Sequence, residues 1–284
     1  MTLSNRSQDP EPLLPLQAAT LHPPVALSIG GSDSGGGAGI QADLKTFAAL
    51  HVHGCSAITC VTAQNTVGVE RVDAMPSAAV AAQVEAVCRD LPVAALKTGM
   101  LLRRDLIEAT ADAIARRHLW RVIDPVMVSR VGAVLLEPEA IAALRDRLLP
   151  LADLVTPNVH EACLLSGLQI SSPADLAPAA ERIAALGGAA VLIKGGALTG
   201  YGGSDWLLDA SGGRWLRCSP VDTPHSHGSG CTLAAAITAF LARGLALDAA
   251  VNRAKHYVQG GLLHALAIGS GQGPLCHWHG QLEL

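Results

Sequence analysis

Short β-type runs alternate with helical patterns along most of this chain, and that alternation restricts the fold more than any single motif does. VALSI (25–29) precedes IQADLKTFAAL, and SAITCVT (56–62) precedes SAAVAAQVEAVCRDL (77–91). VAALKT (93–98), RVIDP (121–125), DLVTP (153–157) and AVLIK (190–194) follow, separated by helix-like stretches such as RDLIEATADAIARRH and EAIAALRDRLL. A βαβα order predicts an α/β fold: a central, mostly parallel sheet with helices on both faces. DWLLDASGGRWLRC reads as a hairpin around a glycine-containing turn, which adds antiparallel strands. No repeat or linker divides residues 25–284, read here as one domain. Residues 1–24 mix proline, polar and acidic residues, lack a signal-peptide core, and are expected to form a disordered tail.

Half of the 284 residues are hydrophobic, enough for a large core, and the formal net charge of −4 provides no basic field for nucleic acid or an anionic membrane. No run approaches the roughly 18 uninterrupted apolar residues of a spanning helix. Small-molecule partners are favoured. The seven cysteines are odd in number and contain no C-x-x-C pair, which fits a reducing cytoplasm better than secretion.

In open α/β sheets ligands sit beyond the carboxyl ends of the strands. After the first strand comes GGSDSGGGAGIQADLKT, six glycines among the ten residues from Gly30 to Gly39, where a structural turn needs one or two. Within it, residues 37–42 match the loose dinucleotide pattern G-x-G-x-x-G/A. That reading requires an acid near the end of the second strand, yet no Asp or Glu occurs from Leu44 through Val69. A P-loop fails too, since no Gly-Lys-Ser/Thr triplet closes the turn. Asp43 lies one helical step from the apolar stripe Ile40, Leu44, Phe47, as a dipole partner or as a carboxylate aimed into a pocket.

Asp124-Pro125, Thr156-Pro157-Asn158 with Glu161, and Lys194-Gly195-Gly196 follow other strands. Two acids suit Mg²⁺, directly or through water, and a lysine suits phosphate oxygens. Later, HSHGSGCTLAAAITAF (225–240) joins a glycine-broken turn to an apolar helix expected to begin near Gly230 and stop at Gly244. The amides of Gly228, Ser229 and Gly230 and the positive end of the helix make an anion site with Cys231 in its first turn. The helix dipole lowers a thiol's pKa and neighbouring phosphates raise it; the sequence leaves the balance open.

These motifs, with CSAITCVTAQNT, KTGML, IDPVM, TPNVHEA and LIKGG, resemble in order and spacing the hydroxymethylpyrimidine/phosphomethylpyrimidine kinases of thiamine biosynthesis, over about residues 25 to 280. The resemblance implies a ribokinase-like three-layer fold. It also implies an Mg-ATP-dependent, homodimeric kinase that phosphorylates the hydroxymethyl group of 4-amino-5-hydroxymethyl-2-methylpyrimidine and then its monophosphate. By motif, Gly31, Asp43, Gln64, Met100 and Val126 would line the pyrimidine pocket. The Gly228–Gly230 turn and Cys231 would serve the reacting groups, Asn158 and Lys194 the nucleotide phosphates, and Asp124 and Glu161 the magnesium.

A pyridoxal or pyridoxine kinase of the same superfamily and a non-catalytic pyrimidine-phosphate-binding protein are the alternatives. Departures from the family pattern are Ser226 and Ser229 in place of threonine, His51 and His53 before the second strand, and the apolar segment VSRVGAVLL (128–136), expected to be mobile near the substrate. His51, His53 and Cys55 form an H-x-H-x-C run for which no second ligand cluster is evident; CHWH (276–279) reads as surface or end packing.

Overall fold

A computed structural model describes residues 22–127, 136 and 138–281. The tail expected over residues 1–24 lies almost entirely outside the described residues, as does most of the 128–136 segment. Nine strands form one sheet in the order β3-β2-β1-β4-β5-β6-β7-β8-β9. The strands are β1 (Val25–Asp33), β2 (His53–Gln64), β3 (Val69–Ala74), β4 (Val93–Thr98), β5 (Trp120–Ile123), β6 (Leu154–Val155), β7 (Ala190–Lys194), β8 (Ser204–Asp209) and β9 (Gly212–Arg217). The six from β2 to β7 in the sheet order are parallel, while β3 is antiparallel to β2, and β8 and β9 form the antiparallel hairpin at the other edge.

Strand β3 is not among the strands expected from sequence. Its segment, VERVDA, alternates apolar with charged residues, and its side chains are half-buried or exposed, as suits an edge strand. β1 shows the opposite pattern. All but one of its nine residues are buried, since helices cover both sheet faces there. It also runs three residues past Gly30, so the glycine run begins inside the strand, with a register shift against β2 between Gly30 and Ser32.

Helices α1 (Gly39–Ala49), α7 (Ser229–Ala242) and α8 (Leu247–Leu263) bury Phe47, Ile237, Phe240 and Tyr257 against one face of the sheet. α2 (Ser77–Asp90), α3 (Arg104–Ile114), α4 (Pro138–Ala143), α5 (Val159–Ser166) and α6 (Leu176–Ala184) cover the other with Val84, Ile107, Ala140, Leu165 and Ile183. The result is the three-layer arrangement anticipated from the alternation. Helix α7 is buried over every residue from Thr232 to Leu241, so it runs through the core rather than along the surface.

After β1 the chain moves outward to β2 and β3, then α2 carries it back to β4 on the other side of β1. The strand order therefore reverses between β1 and β4, and the loops at their carboxyl ends part there to leave a crevice.

Candidate active site

The crevice is lined by residues from the ends of β1, β2, β4 and β7, from the segments after β5 and β6, and from the turn that opens α7. Every residue singled out from the sequence as a site candidate faces it: Gly31, Asp43, Gln64, Met100, Asp124, Val126, Asn158, Glu161, Lys194, Gly228, Ser229, Gly230 and Cys231. Val69 and Val72 of β3 join Met100 and Val126 as apolar lining.

The glycine run is organised by Asp33, which sequence reading passed over. The backbone N–H groups of Gly35, Gly37 and Ala38 donate to its carboxylate at 2.8, 3.1 and 2.8 Å, and His227 Nε2 lies 3.1 Å away. Burial opposes its charge, but the bonds from His227, Ala38 and Gly35 hold the carboxyl below its ordinary range. The second glycine turn locks onto the first. Gly228 has φ of +78°, and a Cβ there would lie 1.8 Å from the Gly37 carbonyl oxygen, so only glycine fits. Its left-handed backbone opens α7 at Ser229, one residue before the expected start.

Asp43 lies inside the crevice, not on an exposed first turn. It is 1% exposed and accepts from Lys97 Nζ at 3.0 and 2.9 Å and from Ser28 Oγ at 2.6 Å. Lys97, also 1% exposed, is the second residue that sequence reading missed. Burial works against its charge, yet Asp43 and Asp124 raise its pKa, so the ammonium stays charged; burial pushes the Asp43 carboxyl up, and Lys97 and the Ser28 bond oppose that rise. The available signal was a lone lysine at the end of the otherwise apolar VAALKT.

A second lysine pair stands across the crevice. Lys194 Nζ donates to Asp124 Oδ1 at 2.9 Å, and Thr156 Oγ1 donates to the same oxygen at 3.0 Å. Glu161 takes the N–H of Asn158 at 2.8 Å and of Met127 at 3.3 Å, while the Asn158 side chain accepts from Glu161 N at 2.9 Å. The N-x-x-E run is thus a capping box that opens α5 and carries both side chains to the pocket wall. Burial pushes the Glu161 carboxyl up to about 7; Lys194 opposes the rise and Asp124 adds to it.

Cys231 opens to the crevice between the two pairs. Burial pushes its thiol up to about 11 against the opposing pull of Lys97, and Asp43 and Asp124 add to the rise. The balance that the sequence left open therefore falls on the side of a protonated thiol. Behind it, Thr232 Oγ1 meets His277 Nε2 at 3.1 Å, so CHWH packs against the start of α7, with Cys276 and His277 buried. Among the described residues no group of three or more His, Cys, Asp or Glu side chains is placed to hold a metal, and His51-x-His53-x-Cys55 forms no such group.

A crevice with two glycine turns, two lysines and a thiol at a helix start is equipped to bind a phosphorylated ligand beside a small ring. Comparison with known proteins agrees. The family model for phosphomethylpyrimidine kinase matches residues 33–276. A hydroxymethylpyrimidine/phosphomethylpyrimidine kinase from Synechococcus elongatus is 60% identical over 90% of this chain and 98% of its own. Among solved structures, a phosphomethylpyrimidine kinase from Clostridium difficile is 40% identical with a TM-score of 0.75, over 83% of this chain and 97% of its own. A Bacillus subtilis pyridoxal kinase solved as an ADP complex is 38% identical with a TM-score of 0.84, over 93% of this chain and 100% of its own. A family match of that length, joined to relatives of that identity, settles membership: the chain belongs to the phosphomethylpyrimidine kinase family.

Proposed function

We propose that this protein transfers the γ-phosphoryl group of ATP to the hydroxymethyl oxygen of 4-amino-5-hydroxymethyl-2-methylpyrimidine, and then phosphorylates the monophosphate, for thiamine biosynthesis. The observation that carries this reading is the position of Cys231. It stands at the start of α7, beside the amides of the Gly228–Gly230 turn, between a sealed lysine–carboxylate pair and an open one.

In the transfer the substrate oxygen forms a bond to the γ-phosphorus as the bond to the β,γ-bridging oxygen breaks, ADP leaves, and the hydroxyl proton passes to a phosphate oxygen and on to water. The Gly228–Gly230 amides face the charge that spreads over the equatorial oxygens. Lys194, 19% exposed, reaches the crevice from a pair that solvent already enters, so a phosphate can draw it away from Asp124. Asn158 borders the same phosphates. A thiol held at about 11 is protonated at neutral pH, so Cys231 acts by accepting a hydrogen bond from the hydroxymethyl group and aligning it. On the other side Asp43, fixed by Lys97, and Gln64 read the amino group and ring nitrogens, with Gly31, Met100 and Val126 against the ring.

Asp124 and Glu161 would hold a magnesium ion, directly or through water, and the repulsion between the two carboxylates that contributes to the raised Glu161 value suits a cation between them. When bound, the ion neutralises phosphate charge. We further read residues 25–284 as one kinase domain, acting as a homodimer in the cytoplasm. No helix among the described residues is long and apolar enough to cross a membrane, and the seven cysteines are free.

ADP release with Mg-ATP tests the assignment, comparing hydroxymethylpyrimidine, its monophosphate and pyridoxal. Turnover of both pyrimidines with pyridoxal much slower is expected. The likeness to pyridoxal kinase structures favours a second reading, and turnover of pyridoxal alone would establish it. Turnover of none would leave a binding protein.

A further inference from the structure

Gln64 ends β2 half-buried at the crevice wall, with its amide between two partners. One end of the amide lies 3.2 Å from Thr62 Oγ1 and the other 3.4 Å from His227 Nε2. Counting hydrogens decides which end carries the oxygen. The Thr62 hydroxyl has a single proton, which goes to the Ser32 carbonyl oxygen at 3.0 Å. His227 Nε2 carries at most one, and it faces the Asp33 carboxylate at 3.1 Å. Thr62 therefore offers Gln64 only a lone pair, and His227 presents no lone pair to it, only a share, as the weaker arm of a three-centre bond, in the N–H that Asp33 already receives. One amide orientation satisfies both, with the NH₂ toward Thr62 and the carbonyl oxygen toward His227.

We propose that Asp33, His227 and Thr62 form a relay that locks the Gln64 amide in this orientation, which makes Thr62 and His227 positioning residues for substrate selection. One N–H of Gln64 then goes to Thr62 and one lone pair to His227. The edge between oxygen and nitrogen keeps a lone pair and an N–H side by side for the crevice. That donor–acceptor pair matches a ring bearing an amino group next to a ring nitrogen, the pairing by which glutamine reads an adenine edge. A ring without that amino group leaves the carbonyl lone pair unanswered. Because Asp33 also gathers the glycine-run amides, the relay ties ring selection to the same carboxylate that shapes the loop under the Gly228 turn.

The choice of substrate here rests on the pyrimidine reading above, whereas the relay itself rests on hydrogen-bond geometry. The test has two parts. Nitrogen-15 NMR of the histidine rings in the full-length protein without substrate, assigned with His227→Gln, should show the proton on Nε2 of His227 at pH 8; a bare Nε2 overturns the relay. In steady-state kinetics Thr62→Val should raise KM for hydroxymethylpyrimidine about tenfold, hold kcat within about threefold, and narrow the preference over pyridoxal. An unchanged KM and preference in a variant that turns over normally also overturns it. A wild type inactive on both pyrimidines would sink the proposed activity, and the ring tautomer would still decide the relay.

Discussion

The two lysine–carboxylate pairs flanking Cys231 use the same chemistry in opposite settings. Lys97 and Asp43 are each 1% exposed, bound through both carboxylate oxygens and tightened by Ser28. Lys194 and Asp124 share one contact, and the lysine is 19% exposed. An ion pair without water has no alternative partner, so the first behaves as a permanent wall. In the second the lysine has solvent at hand, while Asp124 is 2% exposed, and under the proposed activity Lys194 would exchange its partner for a phosphate. A kinase site needs both: a fixed side to hold the ring and a yielding side to admit and release a nucleotide.

The largest expected effect breaks the fixed side. Lys97→Met leaves the Asp43 carboxylate buried without its cation, and should lower unfolding stability by about 3–5 kcal/mol in urea titrations. A smaller loss than that from Lys194→Met would reverse the contrast. Lys194→Met also strands a buried carboxylate, Asp124 at 2% exposed, but Thr156 still donates to it, so it should cost about 2–3 kcal/mol of stability while reducing kcat by about 10²–10³-fold, measured by ADP release. If its stability loss equals that of Lys97→Met, the second pair is no more yielding than the first.

Cys231 divides the two sides, and its role is separable by substitution. Cys231→Ala should lower kcat about 10²-fold and leave pyrimidine binding intact by calorimetry. In the wild type, alkylation of Cys231 by iodoacetamide, followed by mass spectrometry, should be slow at pH 8 and climb toward pH 11. Full activity in the alanine variant removes the thiol from the reaction.

The gentlest probe is pH. Glu161, beside the yielding pair, has a folded value of about 7 against an ordinary 4.5, so the folded protein holds that proton more tightly than the unfolded chain. Its contribution to stability is complete below about pH 4.5 and is lost as pH rises through 7. Glu161→Gln should flatten that part of the stability profile in nucleotide-free protein. Lys97, whose ammonium is held above its ordinary range, should contribute no slope in the same window.

The layers and most strands were legible because apolar runs of strand length alternate with helix-period stripes, two patterns that do not imitate each other. VERVDA escaped because an edge strand keeps one side in solvent and carries charges that resemble a loop. The site divides on similar lines. Glycine runs, Asp124, Lys194 and Cys231 sit where strands end or a helix begins, so chain position exposes them. Lys97, Asp33 and His227 act through partners 54, 2 to 5 and 194 residues away, respectively. Only folding brings the distant partners together, and Asp33 was hidden by its glycine neighbours.

The seating of Gly228 on the carbonyl of Gly37 has a consequence for biosynthesis. The anion turn is completed by a contact between residues near opposite ends of the chain, so a ribosome-bound chain that has not yet released residue 228 has no finished phosphate site, however well its first strands have formed. Catalytic competence would then arrive late and all at once, and a truncated product would be inert without needing to be unfolded.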